Sequence, residues 1–129
     1  MTIERTIMMP TSINLSNKLS LFTDQWSPKI VAQIDDYQFK LAKLQGDFVW
    51  HSHPETDEVF IVLGGQLRID FRDGTTTLDK GEMLVVSKGV EHKPYAGLEC
   101  HVMILVREGT VNTGDAPENE LTAGTGEWI

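Results

Sequence analysis

The sequence predicts an all-β fold, an antiparallel sandwich or barrel, and three observations support this prediction. From about residue 29 onward, short runs that are apolar or that alternate between apolar and polar residues recur along the chain. Turn-forming residues bound these runs, and Asp73-Gly74 is a pair that favours a tight hairpin. Only one short stretch has the periodicity of a helix. Many closely spaced short strands with almost no helix are typical of sandwiches and barrels.

The elements follow in order along the chain. Leu15, Leu19 and Phe22 lie at helical spacing, and Ser12 or Asn14 is available as the N-cap, so residues 14–22 are predicted to form one short amphipathic helix. The remaining runs have the length and composition of strands. The predicted strands are residues 29–34, 38–44, 48–53, 58–63, 66–71, 75–79, 83–87, 92–96 and 99–106.

These elements indicate a single domain in three parts. The length of 129 residues suits one hydrophobic core. We predict an N-terminal arm with the short helix at residues 1–28, a barrel at residues 29–107, and a C-terminal arm or tail at residues 108–129. The tail is polar and rich in Gly, Thr, Asn and Glu, but Trp128 near its end indicates that it packs against something, such as another subunit.

Composition argues against several classes of partner. Nineteen acidic residues outnumber eleven basic ones, for a formal net charge of −8, and the bases are scattered. Proteins that bind nucleic acid or anionic membranes concentrate positive charge, so neither partner is expected. The single cysteine, Cys100, excludes an internal disulfide, and the N-terminal residues do not have the pattern of a signal peptide. We therefore expect a cytoplasmic protein.

The histidines suggest where chemistry occurs. His51 and His53 form an H-x-H pair on a predicted strand, and alternate residues of a strand share a face. If residues 54–57 form a four-residue hairpin loop, His53 lies opposite Glu58, so that two imidazoles and a carboxylate converge. In this register Val49, Phe60 and Val62 form an apolar floor beneath them. Asp57, one residue earlier, faces away and is the weaker candidate ligand. The H-x-H pair alone is a weak motif, because a buried histidine is more often a hydrogen-bonded core residue than a ligand.

The spacing of these residues resembles the first motif of the cupin superfamily. That motif is G(X)5HXH(X)3-4E(X)6G. Here Gly46 precedes His51 and His53, Glu58 follows after four residues, and Gly65 follows after six more. The gap after the first glycine is one residue shorter than in the family pattern.

A second stretch resembles the second motif of the same family, G(X)5PXG(X)2H(X)3N. The matching positions are Gly81, Ser87, Gly89, His92 and Ala96. Serine replaces the usual proline and alanine replaces the usual asparagine. These departures affect turn geometry more than metal binding, because every residue of the family's ligand set is present.

The resemblance implies a double-stranded β-helix of the cupin or jelly-roll type. It also implies one divalent transition metal, Fe, Mn, Ni, Cu or Zn, held by His51, His53, Glu58 and His92. Small cupins commonly form dimers, so a homodimer is expected. Beside the metal we expect a pocket to which Tyr95 and His101 contribute together with the apolar floor, although a structural role for His101 is the favoured alternative.

The function implied is less specific than the fold. The leading interpretation is a metal-dependent enzyme acting on a small polar molecule, as a dioxygenase, an isomerase or epimerase, or a lyase. The alternatives are a non-catalytic module that binds a sugar or metabolite, and a cupin without metal. Cupin barrels support many reactions, so fold alone does not decide among these.

Overall fold

The structure is a computed structural model that describes residues 9–129. The first eight residues of the predicted N-terminal arm at 1–28 lie outside the described residues. No helix within residues 9–129 is long and apolar enough to cross a membrane. The elements in chain order are α1 (Leu15–Leu19), β1 (Lys29–Ile34), β2 (Tyr37–Asp47), β3 (Glu58–Gly64), β4 (Gln66–Phe71), β5 (Gly74–Asp79), β6 (Met83–Val86), β7 (His92–Arg107) and β8 (Glu127–Trp128).

The long strand β7 organises the sheet. Its first part pairs with β4, and its second part lies between β2 and β3, antiparallel to each. The strand order is β5-β4-β7-β2-β1-β8, and β3 pairs with both β7 and β6. The inward side chains of β2, β3, β4 and β7 enclose one apolar core. The structure therefore confirms the predicted all-β barrel of the double-stranded β-helix type with one short helix.

Most predicted strands are present with similar bounds. β1 and β4 have the predicted limits, residues 29–34 and 66–71. The two runs predicted at 92–96 and 99–106 are one continuous strand, His92–Arg107. This strand is long because its two parts have different neighbours, so the residues that looked like a turn between them continue in extended form.

The predicted strand at residues 48–53 and its hairpin with β3 are wrong. β3 is already paired on both sides, since Glu58 lies opposite Val86 of β6 and opposite Val106 of β7. No edge of β3 is left for residues 48–53. This segment instead makes an isolated bridge, in which His51 pairs with His92.

The helix α1 is shorter than predicted but packs as expected. It covers Leu15–Leu19, and the Asn14 side chain caps it by accepting a hydrogen bond from the Asn17 backbone N–H at 2.9 Å. Leu15 and Leu19 pack against a second, smaller apolar cluster that includes Leu41. This cluster lies on the outer face of β2, opposite the main core.

The C-terminal segment, residues 108–129, lies against the barrel of its own chain. Its strand β8 runs parallel to β1, and the Ile129 N–H donates to the Ile30 carbonyl at 3.1 Å. Thr113 is buried, whereas Trp128 is 56% exposed. The segment thus packs against the edge of β1, while contact of the exposed Trp128 side chain with another subunit stays a prediction.

Candidate metal centre

Four side chains from separate parts of the barrel converge at one end of its core. We call His51, His53, Glu58 and His92 the donor cluster, because one ligand atom from each lies within 4.8 Å of all the others. Glu58 and His92 are the first residues of β3 and β7. Two reciprocal backbone hydrogen bonds join His51 to His92, at 2.9 and 3.1 Å. All four residues are buried, so the structure brings together every residue predicted as a metal ligand.

Backbone carbonyls set the tautomers of two imidazoles. The Nδ1 atom of His51 lies 2.9 Å from the Val49 carbonyl oxygen, and that of His92 lies 2.9 Å from the Val90 carbonyl oxygen. A carbonyl only accepts, so Nδ1–H is the donor in both rings. Each ring therefore presents Nε2 to the centre of the cluster. Such hydrogen bonds commonly orient the imidazoles that bind metals.

The Nε2 atom of His53 is buried and makes no hydrogen bond within the described residues. It lies 3.4 Å from Glu58 Oε1, while His92 Nε2 lies 3.1 Å from the same oxygen. A buried nitrogen without a partner is costly in a folded protein. A metal ion at the centre of the cluster would satisfy this atom, so the residues fit a bound metal.

Burial controls the charge of the cluster. Burial and the neighbouring His92 lower the pKa of His51 to about 4, and burial also lowers the pKa of His53. Both rings are therefore neutral near pH 7, the form that binds metals. Burial opposes ionisation of His92 and Glu58 as well, but their mutual hydrogen bond and the attraction between opposite charges in and around the cluster together outweigh it. The pKa of His92 is consequently raised and that of Glu58 is lowered.

Three imidazole nitrogens and one carboxylate oxygen are donors that suit divalent transition metals. The buried cluster could therefore hold one metal ion. Asp57, the weaker candidate, lies outside the cluster. Its carboxylate is exposed and accepts a hydrogen bond from the Lys88 backbone N–H at 2.9 Å.

An inner cavity of about 40 Å³ adjoins the donor cluster. Three of the donors line it, and most of the remaining wall is apolar. Lys40 also lines the cavity, as do Trp26 and residues of the C-terminal segment, and no pattern in the sequence predicted these contributions. The other lining residues are Pro28, Leu44, Phe48, Phe60, Pro94, Ile104, Val106, Thr110 and Asn112.

The predicted pocket residues are only partly in this cavity. Phe60 lines it, as predicted. Val62 is fully buried in the core, and Val49 packs against the core from the side. Neither lines the cavity, because the hairpin that was predicted to place them there does not form.

Tyr95 and His101 lie elsewhere. The Arg68 guanidinium covers the Tyr95 ring, 4.4 Å from its centroid. His101 is partly exposed and lies 3.0 Å from a Glu99 carboxylate oxygen. Cys100 and Val102 on either side of it are buried in the core, so strand alternation directs His101 outward. Both pocket assignments are therefore corrected, and His101 lies on the outward face of β7 beside Glu99.

The C-terminal segment packs against the loop that carries the H-x-H pair. The Asp115 carboxylate accepts hydrogen bonds from the Ser52 backbone N–H at 2.7 Å and from its hydroxyl at 2.8 Å. The Asp115 N–H in turn donates to the Ser52 carbonyl at 3.0 Å. Gly114 has a left-handed φ of +54°, and a Cβ there would overlap the Ser52 carbonyl oxygen and lie 3.0 Å from His53 Nδ1. The segment therefore bonds to the backbone N–H, the carbonyl and the side chain of Ser52, the residue between the two histidines.

An outer cleft of about 330 Å³ lies beside the inner cavity and shares His53 and Thr110 with it. Its remaining wall comes from the loop after His53, from the last residue of β7 and from the residues that follow it. These residues are Pro54, Glu55, Thr56, Arg107, Glu108, Gly109, Val111 and Gly114. The donor cluster is thus buried, but it lies next to an opening on the surface.

Known proteins share this arrangement of strands. A crystal structure of a cupin-2 domain containing protein from Shewanella frigidimarina NCIMB 400 is 58% identical, with a TM-score of 0.71, over 72% of this chain and 91% of that one. Protein NMB1881 from Neisseria meningitidis is 36% identical, with a TM-score of 0.70, over 75% of this chain and 99% of that one.

Sequence comparison leads to the same family. The uncharacterized protein YdbB of Bacillus subtilis (strain 168) is 41% identical over 64 residues, which are 49% of this chain and 57% of that protein. The chain thus matches little more than half the length of this relative. The cupin domain family, Cupin_2, matches residues 38–117, a range that includes the whole donor cluster and Asp115. The chain therefore belongs to the cupin superfamily.

Proposed function

We propose that this protein is a metal-dependent enzyme that acts on a small polar molecule. One divalent transition metal is held by His51, His53, Glu58 and His92. The observation that carries the proposal is the buried Nε2 of His53, which has no hydrogen-bond partner among residues 9–129 and points into a cluster whose other donors are already oriented. A purely structural role for the histidines would leave this nitrogen without a partner.

The bound metal would supply Lewis-acid chemistry or, if it is iron, activation of dioxygen. The chain's own residues provide the surroundings for that chemistry. The apolar walls formed by Phe48, Phe60 and Ile104 exclude water from one side of the cluster. Among the described lining residues, Lys40 is the one titratable side chain apart from the donors. The reaction classes compatible with these surroundings are those of a dioxygenase, an isomerase or epimerase, or a lyase.

The first test is the metal content of untagged protein, measured by elemental mass spectrometry after purification without chelator, under air and without oxygen. We expect one equivalent of a transition metal. Iron retained only without oxygen would support an oxygen-using enzyme, and oxygen uptake with candidate substrates would then follow. Zinc, nickel or manganese would favour Lewis-acid chemistry. Failure to take up any metal after reconstitution would contradict the proposal.

A non-catalytic module that binds a sugar or metabolite is the competing outcome. It would bind metal and ligand but leave the ligand unchanged, so product analysis after prolonged incubation distinguishes it from an enzyme. Homodimer formation and a cytoplasmic location also remain proposals. Analytical ultracentrifugation of the purified protein would test the first, and fractionation of cells would test the second.

A further inference from the structure

The inner cavity contains a buried lysine that the donor cluster does not use. Lys40 lies on the inward face of β2, where it alternates with the core residues Ala42 and Leu44. It is only 3% exposed. Its side chain lines the same cavity as His51 and Glu58. Keeping an ammonium group in such a place costs free energy unless an opposite charge compensates for it.

Within the part of the chain that the structure describes, the partners of Lys40 are neutral carbonyl groups. Its Nζ donates to the Thr125 carbonyl at 3.0 Å and to the Thr110 carbonyl at 3.4 Å. The third N–H bond of the ammonium has no partner among the described residues. Burial lowers the pKa of Lys40, and the charge of Glu58 opposes this only in part. Lys40 is therefore a buried cation without a counter-ion of its own among the described residues.

Lys29 shows how the same chain treats another buried lysine. It is 5% exposed, nearly as buried as Lys40. Its Nζ lies 2.9 Å from an Asp24 oxygen and 2.9 Å from a Glu127 oxygen, so two carboxylates compensate for its charge. No such pair involves Lys40 within residues 9–129. The difference between the two lysines is therefore the missing anion.

Glu58 does not serve as that anion. Its carboxylate already accepts a hydrogen bond from His92 and faces His53. Among residues 9–129 it forms no ion pair with Lys40, so the ammonium has no carboxylate partner of its own in the cavity. Because the cavity walls are mostly apolar, an anion placed there would interact with Lys40 more strongly than it would in water.

We propose that Lys40 binds the carboxylate of the small molecule on which the protein acts, so that the substrate is a small carboxylic acid. This inference rests on the proposed function, since it assigns the substrate class of the same site. A cavity of about 40 Å³ holds about three water molecules, which is close to the size of a carboxylate group. Acetate is therefore a suitable probe, and acetamide is its neutral counterpart of the same shape.

Two variants test the role of the charge. Lys40→Met keeps the aliphatic length and removes the ammonium. Lys43→Met is the matched control, because Lys43 is on the same strand, outside the inner cavity, and its Nζ also donates to a backbone carbonyl, that of Phe22, at 2.6 Å. Acetate and acetamide are titrated into each protein, metal-free and zinc-loaded, and binding is followed by NMR. Thermal unfolding checks that each variant is folded.

We expect acetate to bind the wild type and Lys43→Met with affinities within about twofold, and to bind Lys40→Met about tenfold more weakly or worse. Acetamide should bind none of them appreciably. In wild-type protein with 13C-labelled lysine, acetate should shift the Lys40 side-chain signal and leave that of Lys43 in place. This second measurement does not require that the Lys40 variant folds.

The results separate this inference from the proposed function. Equal acetate affinity in the wild type and Lys40→Met, acetate binding that needs zinc but not Lys40, or no acetate binding at all would each overturn the carboxylate site. None of these results affects the metal assignment, which metal content tests independently. Conversely, acetate binding that depends on Lys40 in a protein that takes up no metal would support the anion site and overturn the metal-dependent function.

Discussion

Replacing His92 with alanine removes one donor from the centre of the cluster while leaving the other three in place. His92 is fully buried, its Nε2 lies 3.1 Å from Glu58 Oε1, and its Nδ1–H is held by the Val90 carbonyl. A metal that binds the native state alone stabilises that state, because unfolding must release it. The variant should therefore lose most of the thermal stabilisation that added metal gives to the wild type.

The size of the effect follows from the linkage relation. At a free metal concentration about 100 times the dissociation constant, a metal stabilises the native state by about 2.7 kcal/mol. For a domain of this length, each kcal/mol corresponds to a change in melting temperature of roughly 3–5 °C. Metal should therefore raise the melting temperature of wild-type protein by about 10 °C. Loss of one donor weakens binding enough to reduce this increase to about 1–2 °C at the same metal concentration.

The assay is differential scanning fluorimetry of each protein with chelator and with added zinc. The comparison is made within each variant, because deleting a buried imidazole also leaves a cavity that lowers the melting temperature by itself. His101→Ala is the control, since His101 is partly exposed and pairs with Glu99 away from the cluster. It should keep the full metal-dependent increase. If His92→Ala also keeps it, His92 is not a ligand and the four-donor assignment is wrong.

Three further predictions test the surroundings of the site. Glu58→Ala should lower zinc affinity at least tenfold in a titration with a competing chelator, whereas Asp57→Ala should leave it within about twofold, because only Glu58 is in the cluster. In metal-free protein the pKa of His51 is held at about 4. As the pH falls, His51 therefore takes up a proton in the unfolded chain before it does so in the folded protein. This difference should lower the free energy of unfolding by about 2 kcal/mol between pH 7 and pH 5. Urea unfolding of His51→Gln at the two pH values should lack this contribution, and an unchanged pH dependence would contradict it. Gly114→Ala should destabilise the protein and weaken zinc binding more than Gly124→Ala, because both have a left-handed φ but only the Gly114 Cβ meets other atoms. Equal losses in the two glycine variants would mean that the contact with the H-x-H loop is unimportant.

Strand positions were the part of the fold that the sequence predicted well. β1 and β4 are short, are bounded by turn residues and have the predicted limits. The error at residues 48–53 arose because apolar alternation indicates an extended chain but does not identify the partner strand. The pairing of β3 with β6 and β7 is determined by closure of the whole barrel. A local hairpin rule cannot anticipate that closure.

The donor cluster was predicted correctly, although the hairpin used to explain it was wrong. The motif spacing identifies which residues form the cluster, whereas the structure brings them together by a different route. His51 reaches the site through its bridge with His92 across the barrel, and Glu58 is placed there by its own strand. The predicted register would also have placed Val49 and Val62 at the site, and the structure does not.

Lys40 escaped prediction for a reason that applies to any strand packed on both faces. In β2 the inward positions include Lys40 and Ala42, while Phe39 and Leu41 face the smaller cluster beneath α1. Apolar residues therefore occur on both faces of the strand, and alternation does not reveal which face is directed toward the main core. A lysine between two apolar residues would normally be assigned to solvent.

The burial of Lys40 becomes evident only once the C-terminal segment is in place, because the carbonyls of Thr110 and Thr125 cover its ammonium group. That segment docks through backbone hydrogen bonds and contains four glycines with positive φ, features that its polar composition does not distinguish from a disordered tail. The part of the cavity from which we infer a substrate class is thus formed by Lys40 and by the C-terminal segment, and the sequence pattern identified neither as a cavity wall.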